Sequence, residues 1–383
     1  MLSETIAALE RLIAYPTIST DSNVEITELL AERLEAAGAR VELQHHEGEP
    51  KVNLFATLGP EISGGVLLSG HTDVVPVADQ DWSSDPFAME ERDGKLFGRG
   101  TCDMKGFVAC ALTLADALSG KELKRPLHFS FTHDEETGCL GAQRLVDLLA
   151  RRDVLPSVAI VGEPTQMRII EGHKGCFEYT ARFTGLEGHG SAPHLGVNAA
   201  EYAARYALRL VELREALKNR APDEAKFDPP WATINIGRVA GGVATNVIAA
   251  KAEVDWEMRP VQDGDADFVK DAMAAYVNDV LLPEMRSVHA DADITTETIG
   301  EVVGLIPTDD NAARDLVASL TGANSAGTVA FGTEAGLFQG LGMDVVVCGP
   351  GSIEQAHKAD EFIAISQLSE CLKMMARLGQ RIA

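Results

Sequence analysis

The chain has 383 residues, of which 45% are hydrophobic, so it can form packed cores, and its length favours two domains over one. It carries 33 basic and 58 acidic residues, a formal net charge of −25. A field of this sign repels phosphate backbones and anionic lipids, so we expect neither nucleic acid nor membrane as a partner. A salty habitat, a cationic substrate and plain solubility each account for the charge, and the sequence does not choose among them.

Two features of the sequence predict a cytoplasmic protein. The N-terminus is amphipathic rather than basic and then apolar, and no apolar stretch of about 20 residues follows, so we expect neither a signal peptide nor a membrane span. The six cysteines are scattered without a CxxC pair. This spacing is typical of reduced thiols and not of a disulfide framework.

The first 170 residues alternate between helical and strand patterns. Apolar residues at helical spacing predict helices over 3–14 and 26–38, with Pro16 ending the first. The alternation predicts a helix-covered, mostly parallel α/β sheet. The further predicted elements are strands at Val52–Leu58, Val66–Ser69, Leu127–Thr132 and Val158–Val161, and helices at Gly106–Leu118 and Gly141–Leu149.

The middle of the chain follows a different order, β-α-β-β-α-β, which is typical of a small α+β sandwich. Its predicted elements are Phe177–Phe183, Ala199–Lys218, Ala232–Val239, Ala250–Met258, Asp267–Leu281 and Ala292–Thr296. We therefore expect a catalytic domain at 1–174 and 298–383, interrupted by an inserted domain at 175–297. The α/β pattern returns after it, with elements predicted at Val329–Phe331, Ala335–Gln339 and Val345–Cys348 and a last helix from about Ser366.

Histidines and acidic residues follow the predicted strands of the α/β part, at the point where each strand ends. In an open α/β sheet the carboxyl ends of the strands form the ligand crevice, so we expect these side chains along one edge. Five positions supply two histidines and three carboxylates, a set suited to zinc. One catalytic zinc needs fewer, and two metals sharing a carboxylate account for the excess. The five positions are His71, Asp103, one residue of the acidic run Asp134, Glu135 and Glu136, then Glu163 and His357; Asp73 lies two residues after His71.

Each of these motifs has an ordinary explanation when taken alone. A single histidine after a strand is usually a surface residue, the acidic run 134–136 is usually a solvated loop, and the Gly-Glu-Pro at 162–164 is usually only a turn. Five such coincidences on one edge favour a metal site instead.

The same segments carry a resemblance over essentially the whole chain. The sequence resembles the zinc aminoacylase and carboxypeptidase superfamily, which includes acetylornithine deacetylases, succinyl-diaminopimelate desuccinylases and glutamate carboxypeptidases. The combination of an HxD motif, a DEE motif and a late histidine is highly specific. The matching segments are SGHTDVVP (69–76), GRGTCDMKGF (98–107), DEETGCLGA (134–142), GEPT (162–165), EGHGSAPH (187–194), TNVIA (245–249), FGTEAGLFQ (331–339) and GPGSIEQAHKADEFI (349–363).

Carried over residue by residue, the resemblance implies two Zn²⁺ ions, with Co²⁺ as a substitute. It implies that Asp103 bridges them, preceding a cis peptide bond to Met104. It assigns His71 and Glu163 to one ion and Glu136 and His357 to the other. It further implies that Glu135 is the general base acting on water and that Asp73 hydrogen-bonds the His71 imidazole.

The inserted domain is expected to act as a lid and to form a homodimer. The resemblance implies that His189 stabilises the oxyanion, often from the partner subunit, and that Asn246 and Arg259 contact the substrate carboxylate. A loop histidine and an exposed strand arginine are the ordinary alternatives. Glu334 is expected at the crevice, where it would receive a substrate ammonium group, or else to cap the following helix.

Within the superfamily, FGTEAGLFQ and QAHKADEF favour the acetylornithine deacetylases. The resemblance thus implies removal of the acetyl group from a small N-acylated amino acid, a step of arginine synthesis. One alternative is a related deacylase or dipeptidase acting on another N-acyl amino acid, such as a succinyl-diaminopimelate desuccinylase. Another is a catalytically silent metal-binding or regulatory protein, which should lack the base or a ligand.

Overall fold

The computed structural model describes all 383 residues, and they form two compact units. The first consists of Met1–Gly172, Pro307–Thr328 and Thr333–Ala383, and the second of His173–Ile306 with Val329–Gly332. The second unit is therefore an insertion within the chain of the first, and each has its own apolar core. The lid and dimerisation roles expected of the inserted segment stay predictions. None of the helices combines the length and apolar character that crossing a bilayer requires.

The chain up to the insertion alternates between helices and strands, as its apolar pattern predicts. Its elements are α1 (Leu2–Ile13), α2 (Val24–Ala36), β1 (Arg40–His45), β2 (Val52–Leu58), β3 (Val66–His71), β4 (Glu90–Arg92), β5 (Lys95–Phe97), α3 (Gly106–Leu118), β6 (Leu127–Thr132), α4 (Leu140–Leu149), β7 (Val158–Pro164) and β8 (Ile169–His173).

The second unit is an antiparallel sheet packed against helices. Its elements are β9 (Cys176–Thr184), β10 (Gly188–His189), α5 (Ala199–Lys218), β11 (Thr233–Gly241), β12 (Val247–Ile248), β13 (Lys251–Arg259), α6 (Asp265–Tyr276), α7 (Leu282–Val288) and β14 (Asp293–Val302). Four of the strands lie in the order β11-β13-β9-β14, and β10 pairs with β12 in a short ribbon. Burial alternates along β13, because one face of this sheet packs on α5 while the other is partly exposed. The predicted β-α-β-β-α-β order is confirmed, with the β10–β12 ribbon and α7 as additions.

The end of the chain returns to the first unit with α8 (Ala312–Thr321), β15 (Ala326–Val329), α9 (Ala335–Gly340), β16 (Asp344–Gly349), β17 (Phe362–Ala364) and α10 (Ile365–Ile382). The strand predicted at Val329–Phe331 is wrong in position, since β15 ends at Val329. Strand β15 lies at the edge of the sheet and pairs with one neighbouring strand only. The apolar pattern of the sequence does not show at which residue this pairing ends.

Eight strands of the first unit form one sheet in the order β1-β2-β6-β3-β7-β16-β8-β15. The four central strands β6, β3, β7 and β16 run parallel, whereas the pairs β1–β2, β2–β6 and β16–β8 are antiparallel. Every residue of β3, β6 and β7 is buried, because helices cover the centre of the sheet. The helix-covered, mostly parallel sheet is confirmed, with antiparallel pairs toward its edges.

Candidate metal centre

The carboxyl ends of the central parallel strands bring the predicted ligands together. His71 is the last residue of β3 and pairs with Thr132 at the end of β6. Glu163 is the second-last residue of the neighbouring strand β7, and the acidic loop 134–136 follows β6. Gly162 is required beside Glu163, because a Cβ there would overlap the ring of Phe107 on α3.

Two further ligands reach this edge from loops. Asp103 lies in an irregular turn, Thr101–Lys105, that leads into α3, and its peptide bond to Met104 is cis. His357 lies between β16 and β17 with a φ of 62°, in the left-handed region that non-glycine residues seldom adopt.

Asp103 lies between the two histidines. Its Oδ1 is 3.1 Å from Nε2 of His71, and its Oδ2 is 3.4 Å from Nε2 of His357. Glu163 Oε1 lies 3.6 Å from the same His71 nitrogen, and Glu136 Oε2 lies 2.9 Å from the His357 nitrogen. The five side chains therefore form two groups that share one carboxylate.

The donor set fits two divalent cations. Glu163 Oε1 is buried without a hydrogen-bond partner, a costly arrangement for a carboxylate unless a cation compensates it. Ligand atoms of His71, Asp103 and Glu136, and likewise of His71, Glu135 and Glu163, all lie within 4.8 Å of one another. Two imidazoles and several carboxylates at this spacing are ligands that zinc and its neighbours accept.

The protonation of these groups supports the same conclusion. Burial raises the pKa of Glu135 and of Glu163 well above the usual range, and raises that of Glu136 to about 7. Hydrogen bonds to Asp103 and Glu136 raise the pKa of His357 to about 10. The protein groups by themselves thus hold protons among several carboxylates, and divalent cations would displace them, because metal binding requires deprotonated ligands.

Asp73 contacts both the His71 imidazole and the acidic loop 134–136. Its main-chain oxygen accepts a hydrogen bond from Nδ1 of His71 at 2.9 Å, while its carboxylate Oδ1 lies farther from this nitrogen, at 3.5 Å. Asp73 therefore contacts the His71 imidazole as expected, more closely through its carbonyl than through its carboxylate. Nδ1 is engaged in this way, so Nε2 is left to face Asp103.

The Asp73 carboxylate instead holds the acidic loop. It accepts hydrogen bonds from the main-chain N–H groups of Glu135 and Glu136 at 3.1 and 3.3 Å, and from the Ser19 hydroxyl at 2.7 Å. Buried Lys51 adds a second tie, with Nζ 2.5 Å from Asp134 Oδ1 and 2.6 Å from the Ser19 carbonyl. Neither Ser19 nor Lys51 was predicted from the sequence, although a lysine directly before an apolar strand was a usable signal.

Glu334 lies at the edge where β3 and β6 end, against Ser69 and the Thr132 that pairs with His71, so its position at the crevice agrees with the expectation. Its side chain is fully buried, where Ser69 Oγ donates to Oε1 at 2.5 Å and Thr132 Oγ1 donates to Oε2 at 2.8 Å. Burial raises its pKa. Glu334 precedes α9 without a side-chain capping hydrogen bond, so the alternative capping role is not observed. Both oxygens are engaged by hydroxyls of β3 and β6, which disfavours direct contact with a substrate ammonium group.

The remaining predicted site residues lie in the second unit. His189 is exposed on β10, with Nδ1 2.7 Å from Ser191 Oγ, and the main-chain carbonyl of Asn246 accepts a hydrogen bond from the neighbouring Gly190 at 2.7 Å. The ribbon β10–β12 therefore brings His189 and Asn246 close together. Arg259 ends β13 half-buried, where its Nε and Nη2 donate to Glu257 Oε2 at 3.0 and 2.6 Å.

A partly buried glutamate, Glu135, lies beside two groups of imidazoles and carboxylates that share Asp103, an arrangement typical of a metal-dependent amide hydrolase. Residues 67–381 match the model of "Peptidase family M20/M25/M40", and the chain belongs to this family. It is 38% identical to an acetylornithine deacetylase of Proteus mirabilis, covering 96% of this chain and 94% of that one. It is 37% identical to an acetylornithine deacetylase of Shigella sonnei, covering 92% and 91%.

Solved structures share the fold at lower identity. A metallo-carboxypeptidase of family M20 from Sulfolobus solfataricus matches with a TM-score of 0.76 at 16% identity, over 98% of both chains. An aminopeptidase from Bacillus cereus matches with a TM-score of 0.74 at 18% identity, over 99% of this chain and 98% of that one. A Bacillus subtilis protein described as a dinuclear metal-binding peptidase of the same family matches with a TM-score of 0.64 at 19% identity, over 99% and 97%.

Proposed function

We propose that this enzyme removes the acetyl group from N²-acetyl-L-ornithine, giving L-ornithine and acetate. The observation that carries the substrate is the similarity, at 37 to 38% identity over nearly the full chain, to relatives named acetylornithine deacetylase. The geometry of the centre supports the reaction type. The proposed base Glu135 lies close to the proposed ligands His71 and Glu163, which supports catalysis over a catalytically silent protein.

The chemistry divides between the cations and the protein. When bound, two divalent cations lower the pKa of water and polarise the amide carbonyl. Glu135 takes the proton of the attacking water and delivers it to the leaving amine nitrogen. Its position for both transfers depends on Asp73, which accepts a hydrogen bond from the Glu135 main chain at 3.1 Å. His71, Glu163, Glu136 and His357 would hold the cations together with Asp103, which lies between the two histidines.

We propose zinc as the native metal, with cobalt able to replace it, because the two imidazoles favour borderline cations over magnesium or calcium. We further propose a homodimer formed through the second unit, in which His189 donates a hydrogen bond to the developing oxyanion. Asn246 and Arg259 would bind the substrate carboxylate, for which Arg259 must exchange its present partner Glu257. A cytoplasmic location fits six cysteines that are all free thiols.

A panel of acylated amino acids, hydrolysed by protein loaded with a defined metal, tests the proposed substrate. The panel contains N²-acetyl-L-ornithine, N-succinyl-diaminopimelate, other N-acetyl amino acids and simple dipeptides. We expect the highest kcat/KM for acetylornithine. A higher kcat/KM for the succinylated compound or for a dipeptide would replace the proposal with a related deacylase or dipeptidase. An absence of turnover with every compound and metal would favour a binding or regulatory protein.

A further inference from the structure

Arg99 and Glu361 form an ion pair with almost no exposure to solvent. Arg99 Nη1 lies 2.7 Å from Glu361 Oε2, and each side chain is 1% exposed. Buried ion pairs often contribute little net stability, since desolvating the two charges offsets their attraction. The role of this pair is therefore better judged from the groups that it contacts than from its own energy.

The Glu361 carboxylate accepts hydrogen bonds from four N–H groups of the segment that carries Asp103. Oε2 accepts from Arg99 Nη1 and from the Gly100 amide at 3.1 Å, and Oε1 accepts from the amides of Cys102 and Asp103 at 2.8 and 3.0 Å. The main chain that presents the shared ligand is thus fixed by one buried carboxylate.

The arginine of the same pair reaches the loop that carries His357. Its Nη1 donates to the Lys358 carbonyl at 3.3 Å, and its Nη2 donates to Gln80 Oε1 at 2.6 Å. Gln80 in turn donates through Nε2 to the His357 carbonyl at 3.0 Å. His357 has a positive φ, and such a conformation persists only where the surroundings hold it.

We propose that Glu361 and Arg99 are positioning residues that set the separation of Asp103 and His357. Glu361 fixes one ligand segment, Arg99 and Gln80 fix the other, and the ion pair joins the two. The pair thereby determines how the ion held by Asp103, Glu136 and His357 is coordinated. This inference rests on the proposed two-metal function.

Replacing Glu361 with glutamine removes the negative charge and one of the two acceptor oxygens while the side-chain volume stays nearly constant. Each oxygen of Glu361 faces two donors, whereas a glutamine has one acceptor oxygen and one donor group. In either orientation its NH2 group opposes two N–H groups. The variant must therefore release either Arg99 and Gly100 or the amides of Cys102 and Asp103.

The full chain with Glu361→Gln is titrated with Zn²⁺ against a chromophoric chelator, and the visible spectrum of its Co²⁺ form is recorded. We expect affinity for one of the two ions to fall about 10- to 100-fold, a usual effect of losing an outer partner of a metal ligand. We also expect an altered Co²⁺ spectrum and a lower kcat at saturating metal, with a smaller change in KM.

Glu171→Gln is the matched control. Glu171 is also a buried carboxylate of the first unit paired with an arginine, with Arg314 Nη1 at 2.9 Å. This variant should lower the unfolding temperature without changing metal affinity or the Co²⁺ spectrum, which separates positioning from general stability. Gln80→Met is the second test variant and should keep the fold, because Gln80 is only half-buried. It should also change the Co²⁺ spectrum, by releasing the His357 carbonyl.

Wild-type affinity and an unchanged Co²⁺ spectrum in Glu361→Gln would overturn the inference and leave the proposed function standing. If Glu361→Gln does not fold, the same result in Gln80→Met would overturn it. A wild-type protein that binds fewer than two ions would overturn both this inference and the two-metal function on which it rests.

Discussion

Glu135 and Glu136 are adjacent in the sequence, yet the structure gives their side chains different surroundings. Glu136 Oε2 lies 2.9 Å from His357 Nε2 and so belongs to the ligand group that includes Asp103. Glu135 Oε1 accepts a hydrogen bond from the Cys139 thiol at 3.4 Å, and burial raises its pKa well above the usual range. We therefore assign metal binding to Glu136 and proton transfer to Glu135 on their different partners and not on their pKa values, because burial raises the pKa of both.

Replacing either glutamate with glutamine should therefore have distinct effects. Glu135→Gln should keep both metal ions and lose about 10²- to 10⁴-fold in kcat, the usual contribution of a general base. Glu136→Gln should lose metal first, and part of its activity should return at high metal concentration. Metal content by mass spectrometry and kcat at saturating metal check both. Full turnover by Glu135→Gln would show that another group moves the proton.

The sequence could reveal the ligands but not the residues that hold them. His71, Glu163 and His357 come after apolar runs that are recognisable as strands. Because parallel strands end at the same edge of a sheet, these residues were expected to lie together there. The partners of these ligands come from distant segments: Glu361 and Arg99 are 262 positions apart. Only the opposite charges within GRGTCDMKG and HKADEFI hinted at this pair, and a charge in a motif does not name its partner.

Strand β6 carries a buried histidine toward the edge of the main sheet. His128 is 3% exposed, pairs across the sheet with Thr57 of β2, and has its ring stacked on Phe55. Burial lowers its pKa from 6.5 to about 4, a shift that the Gly64 carbonyl opposes and the charges of Arg40 and Arg152 reinforce. The folded protein therefore keeps this imidazole neutral where the unfolded chain protonates it.

This histidine should make folding less favourable in acid. Between pH 6.5 and about 4 the unfolded state binds more protons than the folded state. The contribution of neutral His128 to the free energy of unfolding is therefore full above pH 6.5 and is lost as the pH falls through this window. The loss is roughly 3 kcal/mol in all. His128→Gln cannot be protonated, so urea unfolding from pH 7 to 4 should show the wild type losing more stability than the variant.

His45→Gln is the control for this experiment, because His45 is exposed on β1. It should follow the wild type at every pH. Parallel pH profiles for the wild type and His128→Gln would mean that β6 opens locally and exposes the ring before the protein unfolds.

Elements with a complete apolar pattern of six or more residues were the easiest to predict. The bounds of β2, β6, α3 and α5 agree with the sequence pattern at both ends, because their apolar residues alternate or recur over a full element. The short strands β4, β5, β10, β12 and β17 were not predicted. Each has only two or three residues, too few for a period to appear, and they form by pairing with segments that the pattern does not identify.

At the scale of the whole molecule, the two compact units have separate cores, and all five proposed ligands belong to the first. The insertion of the second unit could be predicted from the sequence. Strands with continuous apolar runs give way to strands in which apolar and polar residues alternate, and the continuous runs then return. The proposed ligands lie on both sides of the insertion along the chain, four before it and His357 after it. What each unit contributes to stability does not follow from pattern and requires measurement.

Removing the metal should loosen the first unit and leave the second unchanged. A ligand that binds only the folded form stabilises it by RT ln(1 + [L]/Kd), about 2.7 kcal/mol at a hundredfold excess over Kd. Amide hydrogen exchange, compared with and without a chelator, should therefore speed up about 100-fold in peptides spanning β3 and the Asp103 turn. Peptides spanning β13 of the second unit should keep their rates. Glu163→Gln should exchange like the chelated wild type in either condition. Equal acceleration in both units would show instead that metal binding stabilises the whole chain as one cooperative structure.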